Sequence, residues 1–149
     1  MILLIHLLVG VVISSKIEYF WVALFLAFLS HYLLDLIPHI EYNIENIKNN
    51  QWQKSSPDFL KIILDLSLGL LIIFLLSNNS FKTYACALVS IIPDGLTFLE
   101  YLLPNVFLKK HSRFHREIIH ILKNKKISNF WRFSTQIIVG VISIYILLF

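Results

Sequence analysis

Cysteine occurs once in the 149 residues, as Cys86, and glycine and proline four times each. A single thiol excludes an intrachain disulfide; lying in an apolar stretch, it says little about redox compartment. So few glycines and prolines leave few linkers, and a chain of this length has no room for a second domain. Charge is also scarce. Asp, Glu, Lys and Arg make up 15% of the chain against 57% hydrophobic residues, where a soluble domain is about 45–50% apolar. There are no convincing β signals and no solenoid period. The opening residues, MILLIHLLVGVVISS, lack a basic segment and a small-x-small cleavage site, so they read as a retained helix rather than a signal peptide.

What the chain does have is apolar runs. The mean hydropathy of +0.73 comes from five of them, at residues 2–13, 17–38, 58–76, 81–103 and 130–149. A bilayer span takes about 20 residues, and only the first run is short for that. Tyr19, Phe20 and Trp21 open the second run as an interfacial aromatic cluster would. Polar turns separate the runs: 14–16, an Asn-rich loop at 41–56 and a tight turn at 77–80. Ser56 or Asp58 is positioned to cap the third helix. A basic stretch at 104–128 is expected to hold a short amphipathic helix near the membrane surface. The expected architecture is therefore all-α: one integral membrane domain over residues 1–149, a polytopic bundle of about five apolar helices plus that short helix.

Eight of the thirteen Lys and Arg lie between Lys109 and Arg132. They need no nucleic-acid partner to explain them. All but Arg132, together with Lys48 and Lys54, fall on the loops after the second and fourth runs, while those after the first and third carry only Lys16 and Lys82. Cationic residues stay on the cytoplasmic side. A prokaryotic inner membrane, a cytoplasmic N-terminus and an outward C-terminus are expected, with anionic lipid headgroups meeting the basic loop.

That topology gives the intramembrane polar residues a common address. The motif HYLLDLIPH puts His31, Asp35 and His39 at i, i+4 and i+8, within about 80° of arc on one helix face; Pro38 ends or kinks that helix. His6, Asp65 and Asp94 come from three other runs. At about 1.5 Å per residue, all of these fall in the same cytoplasmic slab, roughly 15 Å deep, with His111, His115 and His120 in the adjoining loop. Pro93 and Gly95 flank Asp94 and suggest a local break that aims its carboxylate. Ionisable groups in a membrane are functional candidates by default, and imidazole with carboxylate suits zinc, manganese or iron. A catalytic zinc needs three protein ligands and a water. Eight candidates exceed one site and could fill a two-metal site with a bridging Asp, leaving a general base.

These residues resemble the marks of a family of small bacterial and archaeal inner-membrane proteins described as membrane-bound, metal-dependent hydrolases, with LexA-regulated members. His6 matches its early His, Pro93-Asp94 its PD motif, His115-Arg116 with His120 its HR-x3-H motif, and His31 with Asp35 its H-x3-D motif. Two features depart from the family pattern. The H-x3-D element precedes PD, and Leu96 stands where a second Asp is usual. The resemblance implies a divalent metal, zinc or manganese, as one or two ions. His6, His31, Asp35, His39, Asp65, Asp94, His115 and His120 are the ligand candidates. Asp35, Asp94 and His120 are the candidates for chemistry on a phosphoester or other ester of a membrane-associated substrate.

Each residue also has a plainer reading. His31, Asp35 and His39 could form a helix-joining cluster without metal, and His39, beyond Pro38, could be interfacial. Asp94 could cap a helix break, Asp65 could pair with Lys61 one turn away, and His6 could be a lone polar residue near the surface. For the loop, helical spacing favours His111 with His115, whereas the resemblance favours His115 with His120. Glu100 is a weaker extra. The competing functions are a metal or proton transporter, opposed by ligands at a single depth, and a non-enzymatic membrane protein. A bis-histidine haem site would leave the acids without a role.

Overall fold

Helix α1 (Leu3–Lys16) is the element around which the others pack, and it touches α2 (Phe20–Asp35), α4 (Ser56–Leu76), α5 (Phe81–Ser90) and α8 (Asn129–Leu148). It is apolar on every side, the pattern of a helix enclosed by others, and Leu7, Leu8 and Val11 are buried against Ile73 and Ala87. The computed structural model describes residues 1–103, 105–119 and 127–149. Among these, α3 (Glu45–Lys48), α6 (Ile92–Leu102) and α7 (Val106–Arg113) complete eight α-helices, and there is no strand. A π-helical turn, Phe114–Ile119, continues α7.

The all-helical class is as expected, but the count of spans is not. Among the described residues two helices, α4 and α8, are long and apolar enough to cross a membrane, and α5 with α6 makes a third candidate, bent by 53°. α1 has 14 residues and α2 has 16, about 21 and 24 Å against a hydrocarbon core of about 30 Å. The second run, 17–38, overstates α2 because its ends are not helical: Ile17 and Tyr19 are extended. α1 outlasts the short first run, 2–13, through Ser14 and Ser15, whose hydroxyls turn back onto the carbonyls of Val11 and Val12. At the far end α2 stops at Asp35, three residues before Pro38, because proline disfavours helical backbone at the residue before it and clashes with the preceding turn.

The break between α5 and α6 follows from Pro93. It has no N–H to return to Val89, and its ring crowds the carbonyls of the turn before it. α5 therefore ends at Ser90, whose carbonyl is left for a partner outside the helix. At its start, Ser80 caps α5 by accepting from Thr83 N at 3.2 Å. α1 and α5 come into backbone contact at Gly10, where a Cβ would sit 2.7 Å from the Cys86 carbonyl oxygen. Small residues permit such approaches.

The N-terminus of α1 is enclosed, so its free amide donors need partners. Ile2 N donates to Gln136 Oε1 of α8 at 3.2 Å, Leu3 N to Tyr42 Oη at 3.2 Å and Leu4 N to Asp65 Oδ2 at 3.0 Å. The Tyr42 hydroxyl in turn donates to Asp65. Burial, with Asp65 beside it, raises the pKa of Tyr42, so the hydroxyl keeps its proton as donor. Asp58 does not cap its own helix. Its carboxylate accepts from Asn46 N and Ile47 N and caps α3 instead.

Candidate metal centre

Three stretches of chain converge at the end of the bundle where α1 begins. α2 delivers His31 and Asp35 from its last turns, α6 delivers Asp94 from its first turn, and the π-turn delivers His115. One ligand atom from each of these four residues lies within 4.8 Å of all the others. His31, Asp35 and His115 are buried, while the Asp94 side chain keeps 30% exposure.

The distances within the group are short. His31 Nε2 is 3.1 Å from Asp35 Oδ2, His115 Nε2 is 3.2 Å from the same oxygen, and the two Nε2 atoms are 3.1 Å apart. A tetrahedral set with bonds of about 2.0–2.1 Å holds its donor atoms about 3.3–3.4 Å apart, so these three already have nearly the edge lengths of a zinc site. Asp94 Oδ1 is looser, 3.7 Å from His31 Nε2 and 4.0 Å from His115 Nε2.

The second ring nitrogens fix the tautomers. His31 Nδ1 lies 2.8 Å from the Ser90 carbonyl. A carbonyl only accepts, so Nδ1 carries the proton and Nε2 of the neutral ring carries the lone pair. His115 Nδ1 faces Thr97 Oγ1 at 3.5 Å, and that hydroxyl spends its own proton on the Pro93 carbonyl at 3.1 Å. It is therefore an acceptor for His115 Nδ1–H. Two lone pairs thus converge on one carboxylate oxygen, an arrangement that repels unless a proton or metal cation lies among them. Metal-bound histidines characteristically donate their other N–H to such outer partners. The broken helix supplies both: Ser90 on one side of the break, Pro93 and Thr97 on the other.

No protein-family model, no curated protein and no solved structure matches this chain. The resemblance to membrane-bound metal-dependent hydrolases therefore stands on the motif residues alone.

The other expected ligands fall into place as follows. His6 and His39 are buried beside the group, with Nε2 atoms 3.3 and 3.7 Å from Asp35 Oδ1. His39 does not continue the helix face, since α2 has ended at Asp35; it reaches back from the following turn. The Met1 amino nitrogen also ion-pairs with Asp35 Oδ1. Asp65 is outside the four-residue group, because its carboxylate is spent on the N-terminus of α1 and on Tyr42. Lys61 pairs with Asp58 at 3.7 Å rather than with Asp65. His111 stacks on His115, and its Nε2 shares a hydrogen bond with the Tyr32 hydroxyl at 3.1 Å; burial and the neighbouring His115 lower its pKa. Glu100 pairs with Arg116 at 3.8 Å. His120 lies outside the described residues.

A cavity of about 360 Å³ opens beside the group, lined by Asp94, Thr97 and His115. Its walls are mostly apolar, with Phe59 and Ile62 from α4, Ile91 from the α5–α6 break and Phe98 from α6, and Lys48, Arg116 and Glu41 bring charge to it. Nothing in the sequence marked Ser90 as a partner of His31. Thr97, one helical turn from Pro93, carried the only readable hint.

Proposed function

We propose that the protein is a membrane-embedded, metal-dependent hydrolase acting on a phosphoester, or another ester, of a membrane-associated lipid-like substrate. The observation that carries this reading is the convergence of His31, Asp35, Asp94 and His115, two of them in fixed tautomers, beside a mostly apolar cavity that Asp94 and His115 line. The donor set of two imidazoles and two carboxylates fits zinc or manganese. Such an ion supplies an activated water and positive charge for the ester oxygen. Asp94, half-open to the cavity, is the carboxylate placed to take a proton from a water there, whereas Asp35 is enclosed and holds the histidines. Lys48 and Arg116 favour an anionic headgroup, and Phe59, Ile62 and Phe98 offer acyl chains an apolar wall. The outer surface fits the same picture: Leu64, Leu71 and Leu75 on α4 and Ile138, Val141 and Tyr145 on α8 are exposed, a large apolar area for lipid to cover.

The test is release of water-soluble phosphate from phospholipid vesicles by the reconstituted protein, followed by phosphorus NMR. Release is expected, lost on chelation, restored by zinc or manganese and lost in Asp94→Asn. Metal-loaded protein inactive on every lipid phosphoester and carboxylic ester offered would contradict the reading. A helix-joining polar cluster is the competing reading, favoured by the Met1–Asp35 ion pair; it predicts no bound metal.

A further inference from the structure

Asp35 has two occupied sides. Its Oδ2 faces His31 and His115, as described above. Its Oδ1 faces a different pair, His6 Nε2 at 3.3 Å and His39 Nε2 at 3.7 Å. Glu41 Oε1 stands 3.9 Å from His39 Nε2. We propose that the Oδ1 side is a second cation position, held by His6, His39 and Asp35 with Glu41 in reach, so that the Asp35 carboxylate bridges two metal ions.

His6 is the strongest support. It is fully buried; its Nδ1 has no hydrogen-bond partner, and its Nε2 has none beyond the Asp35 carboxylate 3.3 Å away. Buried polar groups in native proteins are nearly always satisfied, and an exception calls for an explanation such as an ion. The ring stacks on His31 with centroids 4.0 Å apart and planes 22° apart. The two imidazoles therefore stand as near-parallel plates, each with Nε2 beside a different oxygen of one carboxylate.

His39 adds an independent argument. Its Nδ1 lies 2.7 Å from the Ile37 carbonyl, so Nδ1 donates and Nε2 of the neutral ring carries the lone pair. That lone pair is turned toward Asp35 and Glu41, two acceptors, which a cation would reconcile. The segment that presents it is held from α8: Thr135 Oγ1 donates to the Pro38 carbonyl at 2.5 Å and Arg132 to the His39 carbonyl at 3.3 Å. The position is therefore built by α1, α2 and α8, whereas the first centre is built by α2, α6 and the π-turn. Two-metal hydrolytic centres keep their ions about 3.5–4 Å apart, a distance that the two oxygens of one carboxylate can bridge. The Met1 amino group also pairs with Oδ1. A carboxylate oxygen has two lone pairs, so an ion can share it; the competing arrangement is one metal on Oδ2 with only the ammonium on Oδ1.

This inference rests on the first centre binding metal, and the experiment separates the two. Purified full-length protein is loaded with Mn²⁺ as the probe, freed of unbound metal, and examined by elemental analysis and electron paramagnetic resonance. The wild type is expected to hold two ions per chain with the signature of an exchange-coupled pair. His6→Gln and His39→Gln, with unfolding midpoints measured alongside, are each expected to hold one ion with the spectrum of isolated Mn²⁺. A wild type holding one uncoupled ion overturns the second position and leaves the first centre standing. A wild type holding none overturns both. Because the wild-type spectrum decides the matter, a variant that fails to fold does not protect the proposal.

Discussion

Gly10→Ala tests how the packing of α1 against α5 positions the centre. A Cβ at residue 10 would lie 2.7 Å from the Cys86 carbonyl oxygen, 3.0 Å from Ser90 Oγ and 3.1 Å from Ala87 Cα. Two of those three atoms are backbone and cannot rotate away, so the helices must separate by about 0.5 Å to restore ordinary contact distances. Overpacking of this kind costs about 1–3 kcal/mol, and backbone neighbours put the cost in the upper half of that range. Alanine returns about 1 kcal/mol through helix propensity. The net loss is then about 1–2 kcal/mol, or roughly 3–6 °C in unfolding midpoint for a chain of this size. Gly95→Ala is the control, because a Cβ there meets nothing within 4 Å, and propensity should leave it neutral or slightly stabilised. The assay is thermal unfolding of detergent-solubilised protein, followed by circular dichroism. The separation also acts on function. α1 carries His6 one turn from Gly10, and α5 carries the Ser90 carbonyl that orients His31. Gly10→Ala should therefore weaken metal binding as well as the fold. A Gly10→Ala protein as stable as Gly95→Ala, with wild-type metal affinity, would refute the reasoning.

Other consequences can be checked separately. Thr97→Val removes the acceptor of His115 Nδ1–H and is expected to lower metal affinity about 10–100-fold while ligand count stays the same, as read by competition with a chromogenic chelator. Asp65→Asn weakens the cap on α1 and the bond from Tyr42. It should cost about 1–3 kcal/mol in unfolding experiments yet leave metal stoichiometry at the wild-type value; loss of an ion would return Asp65 to the ligand set. A reporter active only in the cytoplasm, fused after Phe149, should be inactive if the basic stretch faces inward.

How much of this was readable in advance depends on the range of each interaction. His31 and Asp35 were legible because a helical i, i+4 spacing puts them together whatever surrounds them. Asp94 was legible because Pro93 announces a break beside it. His39 was placed on the helix face by spacing, but Pro38 ends the helix earlier, at Asp35; its approach to the carboxylate is made by a turn whose course is set from α8. Asp65 shows the opposite failure. An acid in an apolar run attracts a metal reading, yet an enclosed helix N-terminus has equal need of an acceptor, and only the fold shows that Leu4 N is there. The span count failed for a related reason. Apolar composition continues through residues that are extended, such as Ile17, so run length overstates helix length. His115 lies 80 positions from Asp35 in the chain, and the π-turn that aims it has no composition of its own.

Elemental analysis of the purified protein bears most directly on the whole account, comparing wild type with His31→Ala and Asp94→Ala. The account predicts a divalent transition metal bound to the wild type and depleted in both variants. A wild type with no metal above the buffer background, even after loading with zinc or manganese, would contradict it and leave His31, Asp35, Asp94 and His115 as a polar joint between helices.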